Sequence, residues 1–345
     1  MIKNHKYLLT GVNFGQPSVN EYTASFYTLM NDAIIKLVRS LPCSVQTSAM
    51  IFFMNHAGIE PGQPLDFFRN YYSPIWSSIP HIIQKNKGAI VHDEFIYNAA
   101  IAHSMIMILH SLDDHISDGQ IIPDHLTLLI RSQGWKIFWD TVPILCSIVR
   151  DGMEIVNTCI DRYYASITHH KSNINLEEYL CIFKDQMATA LIVPLITVQY
   201  IGGDVSQTLK ECIRASLESF GVAWRILDDI HDAKDDFNRG RITAVTLSLS
   251  NKVCSQWSKF VKAETNTIEG QNIVNQRKDS ISLDKIMMQN SDIITTLVKR
   301  IIKELQAAAK YAEDAGIFGL SKELHELLIP FDQAAKADIK KIKGL

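Results

Sequence analysis

Two acidic segments stand far apart in this chain, Leu112-Asp113-Asp114-His115-Ile116-Ser117-Asp118 and Leu227-Asp228-Asp229-Ile230-His231-Asp232, each at the end of a long apolar stretch. In a helix, residues three and four positions apart share a face, so Asp114 and Asp118 point together, as do Asp228, Asp229 and Asp232. Carboxylates grouped this way repel one another unless a cation lies between them. Two such clusters facing each other across an apolar cavity suit a hard divalent ion. Mg²⁺ above all takes a few carboxylates and leaves positions open for phosphate oxygens. The chemistry implied is the binding of a diphosphate carried on an apolar tail.

The first segment alone is ambiguous, because Asp and Ser before Gly119 also make an ordinary turn. The second, after the apolar run Phe220-Gly221-Val222-Ala223-Trp224-Arg225-Ile226-Leu227, makes coincidence a poor explanation. Asp235, Asp236, Arg239 and Arg241 follow it and mix anions with cations where a metal-bound diphosphate would lie. Arg225, Lys234, Arg239 and Arg241 are the candidate diphosphate contacts. Diphosphate leaves readily once its developing charge is neutralised, and an apolar pocket shelters the allylic cation left behind. Aromatic faces stabilise such a cation, and Phe67, Phe68, Tyr71, Tyr72, Trp76, Phe183, Tyr200, Phe220 and Trp224 are available. His103, His110, His115 and His231 lie near the segments as candidate bases or donors, though satisfied neutral histidines are commoner. Arg162 is a further cation, equally readable as a surface ion pair.

The elements that carry these residues are helices. Apolar residues recur at three- and four-residue steps through 21–39, 95–112, 126–167, 176–201, 207–232, 243–262 and 292–313, and alternating strand patterns are scarce. Pro61-Gly62-Gln63-Pro64, Pro123-Asp124, Lys171-Ser172-Asn173 and Gly202-Gly203-Asp204 punctuate them. Residues 263–284 are polar and read as a loop or insertion. The expectation is an all-α protein, with a helical N-terminal extension over 1–88 and the main domain over 89–345, forming one continuous unit.

With 345 residues, 47% of them apolar and 21% charged, the composition is that of a globular protein. A formal net charge of -3 and the lack of a basic run with interleaved aromatics argue against nucleic acid. Six scattered cysteines without a Cys-x-x-Cys pair, after a polar N-terminus, suggest reduced thiols in the cytoplasm. The most membrane-like run, Met187 to Ile201, carries Pro194 and Gln199 and reads as a kinked core helix. No Gly-rich phosphate loop or nucleophile elbow appears.

The two acidic motifs, the Phe-Gly-Val-Ala-Trp-Arg-Ile-Leu-Asp-Asp-Ile-His-Asp run at 220–232, Gly240-Arg241-Ile242-Thr243, and Leu176-Glu177-Glu178-Tyr179-Leu180 ahead of Gly202-Gly203 resemble the trans-isoprenyl diphosphate synthases (polyprenyl synthetases) of the class I isoprenoid synthase superfamily. The resemblance covers about residues 95–250. It implies a helical bundle around a central cavity with both motifs at its mouth and Mg²⁺ bridging them to substrate. It also implies pairing into a homodimer. By it Asp113, Asp114, Asp118, Asp228, Asp229 and Asp232 are the metal ligands.

The chain departs from that pattern in its cations. The first motif has three residues between Asp114 and Asp118 instead of two. The Gly-Gly-Lys-Arg-x-Arg-Pro stretch that holds isopentenyl diphosphate in elongating members is absent; Arg69-Asn70-Tyr71-Tyr72-Ser73-Pro74 and Lys85-Asn86-Lys87-Gly88 occupy the region. Gln186-Met187 stands for the family's Lys-Thr, with Lys184 nearby, and Gly119-Gln120 follows the first motif where an Arg pair is usual. The expected activity is therefore ionisation of an allylic prenyl diphosphate and transfer to another acceptor. A terpene synthase that quenches the cation within its own chain is the alternative, although the usual Asn-Asp-x-x-Ser-x-x-x-Glu is not present at 228–236. A non-catalytic helical partner subunit is a third reading, against which two intact acidic motifs count.

Overall fold

Apolar residues at helical spacing become helices in the structure, a computed structural model that describes residues 11–60, 62–70, 73–85, 91–117, 119–168, 174–202, 206–250 and 291–343, without the side chains of Asn70, Ser206, Lys234, Asn238, Ser291, Lys341, Ile342 and Lys343. The elements in order are α1 (Glu21–Arg39), α2 (Cys43–His56), α3 (Phe67–Asn70), α4 (Pro74–Lys85), α5 (Asp93–Ser117), α6 (His125–Ser147) and α7 (Gly152–Thr168). Then come α8 (Leu176–Gln186), α9 (Ile192–Gly202), α10 (Ser206–His231), α11 (Ala233–Arg239), α12 (Ala244–Leu247), α13 (Ser291–Asp314) and α14 (Phe318–Lys343). No strand occurs among the described residues, so the all-α expectation holds. The expected polar loop at 263–284, and the 243–262 stretch beyond residue 250, lie outside them.

Several helix ends are written in the sequence. Asn20 accepts from the Thr23 N–H at 2.8 Å to start α1, and Asp124 accepts from the Thr127 N–H at 2.8 Å to start α6. Asn175 and Glu178 form a reciprocal capping box at α8. One expected helix is two: 126–167 breaks between α6 and α7, where Asp151 adopts a left-handed φ of 59°. Gly152 follows because a Cβ there would lie 2.9 Å from the Cys146 Cα. The expected kink at Pro194 takes the form of a 3₁₀ turn over Met187–Leu191 between α8 and α9. Proline has no N–H for the carbonyl four residues back, so the ladder tightens just before it.

One hydrophobic cluster runs from Val12 to Ala335. Helix α5 is packed by α1, α6, α9 and the 3₁₀ turn, while α10 lies on α13 and α13 on α14. Helices α1 and α4 join the same core, α1 against α5 and α4 against α9 and α14. A buried polar contact fixes α14 on α4: Glu323 accepts from Ser77 Oγ at 2.6 Å and lies 2.6 Å from His81 Nε2. Burial pushes the Glu323 carboxyl well up and the His81 imidazole down to about 4, so the pair is an uncharged hydrogen bond. Two spans, Asp93–Ser117 and Leu176–Gly202, are long and apolar enough to cross a membrane, but 83% and 72% of their apolar windows are buried within the bundle. The second is longer than the 187–201 run suggests because α8, the 3₁₀ turn and α9 are continuous.

Candidate active site

Helices α5 and α10 are the long buried elements whose last turns carry the acidic segments, and these turns meet at one cavity. Asp114 from α5 and Asp228 from α10 line it together with His110, His115, Gln120, Phe183, Trp224 and Arg225. Its open space is about 50 Å³, enough for a few waters or the head of a ligand but not for a long apolar tail. Its lining mixes acidic and basic side chains with imidazole and aromatic rings.

Within each Asp-Asp pair the two carboxylates have different surroundings. Asp113 is gripped by the Nε and Nη2 of Arg131 from α6, the latter at 3.0 Å, and accepts from the Tyr163 hydroxyl of α7 at 3.1 Å. Asp229 is 1% exposed and lies 3.0 Å from Arg225 Nε. Arg225 Nε also donates to the Tyr179 hydroxyl at 2.7 Å, which donates to Asp229 at 2.9 Å. The Ala244 N–H at the start of α12 donates to Asp229 at 2.7 Å, in the first turn capped by Thr243. Asp113 and Asp229 thereby pin the two motifs to the fold, while Asp114 and Asp228 face the cavity.

Electrostatics follow this division. Burial pushes the Asp229 carboxyl up to about 6, while Arg225, the Ala244 N–H and the Tyr179 hydroxyl pull it back, leaving it ionised at neutral pH. Asp228 is pushed up to about 7, first by burial and then by Asp232, Asp229 and Asp114, with only Arg225 opposing. Burial sets most of that rise, and the three neighbouring carboxylates add to it against a single guanidinium. Arg225 stands over the rings of Tyr179 and Phe183 at 5.9 and 5.6 Å from their centroids, fixing its guanidinium between the two motifs.

The other expected residues are placed as follows. Asp232 precedes α11 without capping it and does not line the cavity. Arg241 binds Asp236 at 3.2 Å and Arg239 lies exposed at the end of α11, so neither is brought to the cavity wall. Asp118, Tyr71, Tyr72 and the Lys234 side chain lie outside the described residues. Of the aromatic candidates, Phe183 and Trp224 line the cavity. Phe67, Phe68 and Trp76 pack in one cluster, Tyr200 stacks on Phe95 and Phe220 meets Phe14. His103 is tied to the Ile75 carbonyl and His231 to that of Val12, both at 3.0 Å. Arg162 ties α7 to Asp185 and Glu218, each at 2.9 Å.

Residues that sequence reasoning passed over are Arg131, Tyr163, Tyr179, Gln120 and His56. His56 sits 4.6 Å from His115, ring to ring, and stacks nearly parallel on Phe52 and Phe67. Burial, then the proximity of His115, pushes its imidazole down to about 4, so it carries no charge at neutral pH.

Among the described residues, no group of three or more His, Cys, Asp or Glu converges closely enough to hold a metal ion unaided. The donors nonetheless fit a hard cation that keeps water and phosphate in its shell, because Asp114 and Asp228 face one space, where burial and then neighbouring carboxylates disfavour the ionised form of Asp228.

No family model matches the chain and no curated protein matches it. Among solved structures it is similar to polyprenyl synthetase from Streptomyces coelicolor A3(2), with a TM-score of 0.60 at 12% identity over 90% of this chain and 100% of that one. It is also similar to geranylgeranyl pyrophosphate synthetase from the archaeon Geoglobus acetivorans, with a TM-score of 0.57 at 13% identity over 90% and 98% of the two chains. The chain has the all-α fold of these polyprenyl and geranylgeranyl pyrophosphate synthetases.

Proposed function

We propose that the chain is a divergent member of the trans-isoprenyl diphosphate synthases, an enzyme that ionises an allylic prenyl diphosphate and transfers the prenyl group to an acceptor other than isopentenyl diphosphate. The observation that carries this reading is the placing of Asp114 and Asp228, from two distant motifs, on one cavity beside Arg225 and the rings of Phe183 and Trp224. Asp114 and Asp228 would hold Mg²⁺, with Asp118 and Asp232 as the outer members of their motifs. Bound there, the ion would neutralise charge developing on the leaving diphosphate. Arg225 supplies a fixed guanidinium to the same oxygens, and Phe183 and Trp224 turn ring faces and apolar surface to the cation. Seating a tail requires side chains around Phe183 and Trp224 to move, since the open space takes only the head.

The acceptor reading is supported by the side of the cavity beyond His115. There the neighbours are neutral His56, Phe52 and Phe67, a stack suited to an uncharged or aromatic group and a poor grip for a second diphosphate. Leu128 and Trp139, exposed on one side of α6, would supply apolar surface for the self-association that the resemblance implies.

The test is incubation with geranyl, farnesyl and geranylgeranyl diphosphate and Mg²⁺, with and without isopentenyl diphosphate. Diphosphate release without chain elongation is expected. Longer linear diphosphates would overturn the acceptor reading, cyclic hydrocarbons would move the chain to the terpene synthases, and no release from any substrate would sink the enzyme reading.

A second expectation concerns pH. Asp228 has a folded pKa raised from the ordinary aspartate value to about 7, so its contribution to stability is present in acid and is lost as pH rises through about 7. A cation at the site reverses that loss because it binds the ionised carboxylate. The rise in Tm on adding Mg²⁺ is therefore larger at about pH 8 than at about pH 5.5. Equal rises at both would show that Asp228 is not a ligand.

A further inference from the structure

The aspartates and Arg225 account for the polar side of the cavity, but His110 is left without a task. It lies on α5 four residues before Asp114, and its imidazole lines the same cavity as Phe183 and Trp224. Its Nδ1 is buried and has no hydrogen-bond partner. His81 and His103 also lack a partner at Nδ1, yet each is tied through Nε2, to Glu323 and to the Ile75 carbonyl. The ring contact of His110 is an edge-on approach to Tyr163, 6.3 Å between centroids, which fixes the ring plane without using a nitrogen. Nδ1 is closed off from the cavity as well as unpartnered, so it is the remaining edge of this partly buried ring that meets whatever the cavity holds.

The position says what that is. On the ionisation reading the diphosphate head would be held at Asp114, Asp228 and Arg225, and the carbon it leaves behind would lie against Phe183, Trp224 and His110, which line the same cavity. We propose that His110 is the base that takes the proton lost when the allylic cation is quenched. The inference rests on the ionisation reading above and adds a step to it. The C–O bond to diphosphate breaks and the leaving group keeps the electron pair. With an acceptor X–H, the lone pair of X forms the new bond to carbon, and the X–H proton passes to the imidazole of His110. Without an acceptor, a C–H bond next to the cationic carbon breaks, its pair closes a double bond, and the same ring takes the proton. In either case the imidazolium stands near Asp114 until the product leaves, and its proton then returns to solvent. Burial holds the imidazole below its ordinary pKa, with Asp114 and Asp113 opposing, so it enters the reaction neutral. A weak base suffices, because a carbocation is a very strong acid.

The test uses the full chain with farnesyl diphosphate and Mg²⁺, alone and with isopentenyl diphosphate, and compares wild type with His110→Gln and His110→Phe. Circular dichroism checks the fold. In single turnovers both variants are expected to release diphosphate within about threefold of wild type, because ionisation does not use His110. The yield of deprotonated product is expected to fall about 10²-fold, the scale of a lost general base, with farnesol from capture by water taking its place. An unchanged product distribution in His110→Gln overturns the proposal, and so does loss of diphosphate release equal to that of an aspartate variant, which would place His110 in ionisation. Should one variant fail to fold, the other decides, since glutamine keeps the polarity and phenylalanine the ring. Failure of wild-type protein to release diphosphate from farnesyl, geranyl or geranylgeranyl diphosphate brings down the ionisation reading and this inference with it, a result distinct from either of the others.

Discussion

Asp228→Asn is expected to slow diphosphate release from an allylic diphosphate by about 10²–10³-fold while leaving the protein folded. The Asp228 side chain is 46% exposed and its nearest cation is Arg225 Nη1 at 3.7 Å, so neutralising it orphans no buried charge. Asp232, Asp229 and Asp114 all raise its pKa, so the uncharged amide relieves repulsion in the metal-free protein. The variant should be as stable as wild type, or more so, near neutral pH and lose most of its Mg²⁺-dependent rise in Tm. Asp113→Asn makes a useful contrast, because that side chain is bound by Arg131 and Tyr163 and does not line the cavity. It should lose stability first and activity only as the α5 terminus loosens. Single-turnover release and thermal unfolding of the two variants separate these roles; full activity in Asp228→Asn would remove Asp228 from the site.

That contrast marks how far the sequence could be read. Periodicity gave the helices that present an amphipathic stripe; the caps that the structure shows at Asn20, Asp124 and Asn175 set where three of them start. Helix α4 went unread: Ser77, Ser78, His81, Gln84 and Lys85 do recur at helical spacing, but Pro80 inside it reads as a break. The break between α6 and α7 is short, residues 148–151 with the left-handed Asp151 at its end, and it carries neither proline nor a polar run to mark it in the sequence.

At the site, the spacing argument placed Asp114 with Asp118, and Asp114 does face the cavity. The irregular first motif is therefore accounted for if Asp114 leads it and Asp113 belongs to the scaffold. Nothing local could show that Asp113 is claimed by Arg131, eighteen positions on, or that Asp229 is bound to Tyr179, fifty positions earlier. Such partners come from neighbouring helices, and pairing across helices leaves no periodic trace. Tyr179 carried the one available hint, since it lies in the Leu-Glu-Glu-Tyr-Leu segment that marked the resemblance. Arg239 and Arg241 show the opposite case: their position beside the second motif suggested a diphosphate grip, yet the reversal at Gly240, with its φ of 71°, directs Arg241 to Asp236.

Replacing Arg225 by methionine is expected to cause the largest loss of stability of any change at the site. Methionine fills much the same volume but removes the cation 3.0 Å from a carboxylate that is 1% exposed. Breaking a buried pair from one side costs about 3–5 kcal/mol, because the remaining charge has lost its partner and has no access to water. The Tyr179 hydroxyl and the Ala244 N–H still reach Asp229, but both are neutral donors. The sign of the pH dependence follows. Without Arg225 the Asp229 pKa rises above its present value of about 6, so the variant is nearest to wild-type stability in acid and falls behind as pH rises through neutrality. Lysine does not rescue it, since a point charge cannot serve Tyr179, Asp229 and the cavity at once. The double variant Arg225→Met with Asp229→Leu should recover most of the loss, because replacing both members of a buried pair by apolar groups removes the unpaired charge. Urea unfolding of the two single variants and the double gives the coupling energy directly. A coupling below about 0.5 kcal/mol would mean that Arg225 is held for the cavity alone, with Asp229 satisfied by its neutral donors.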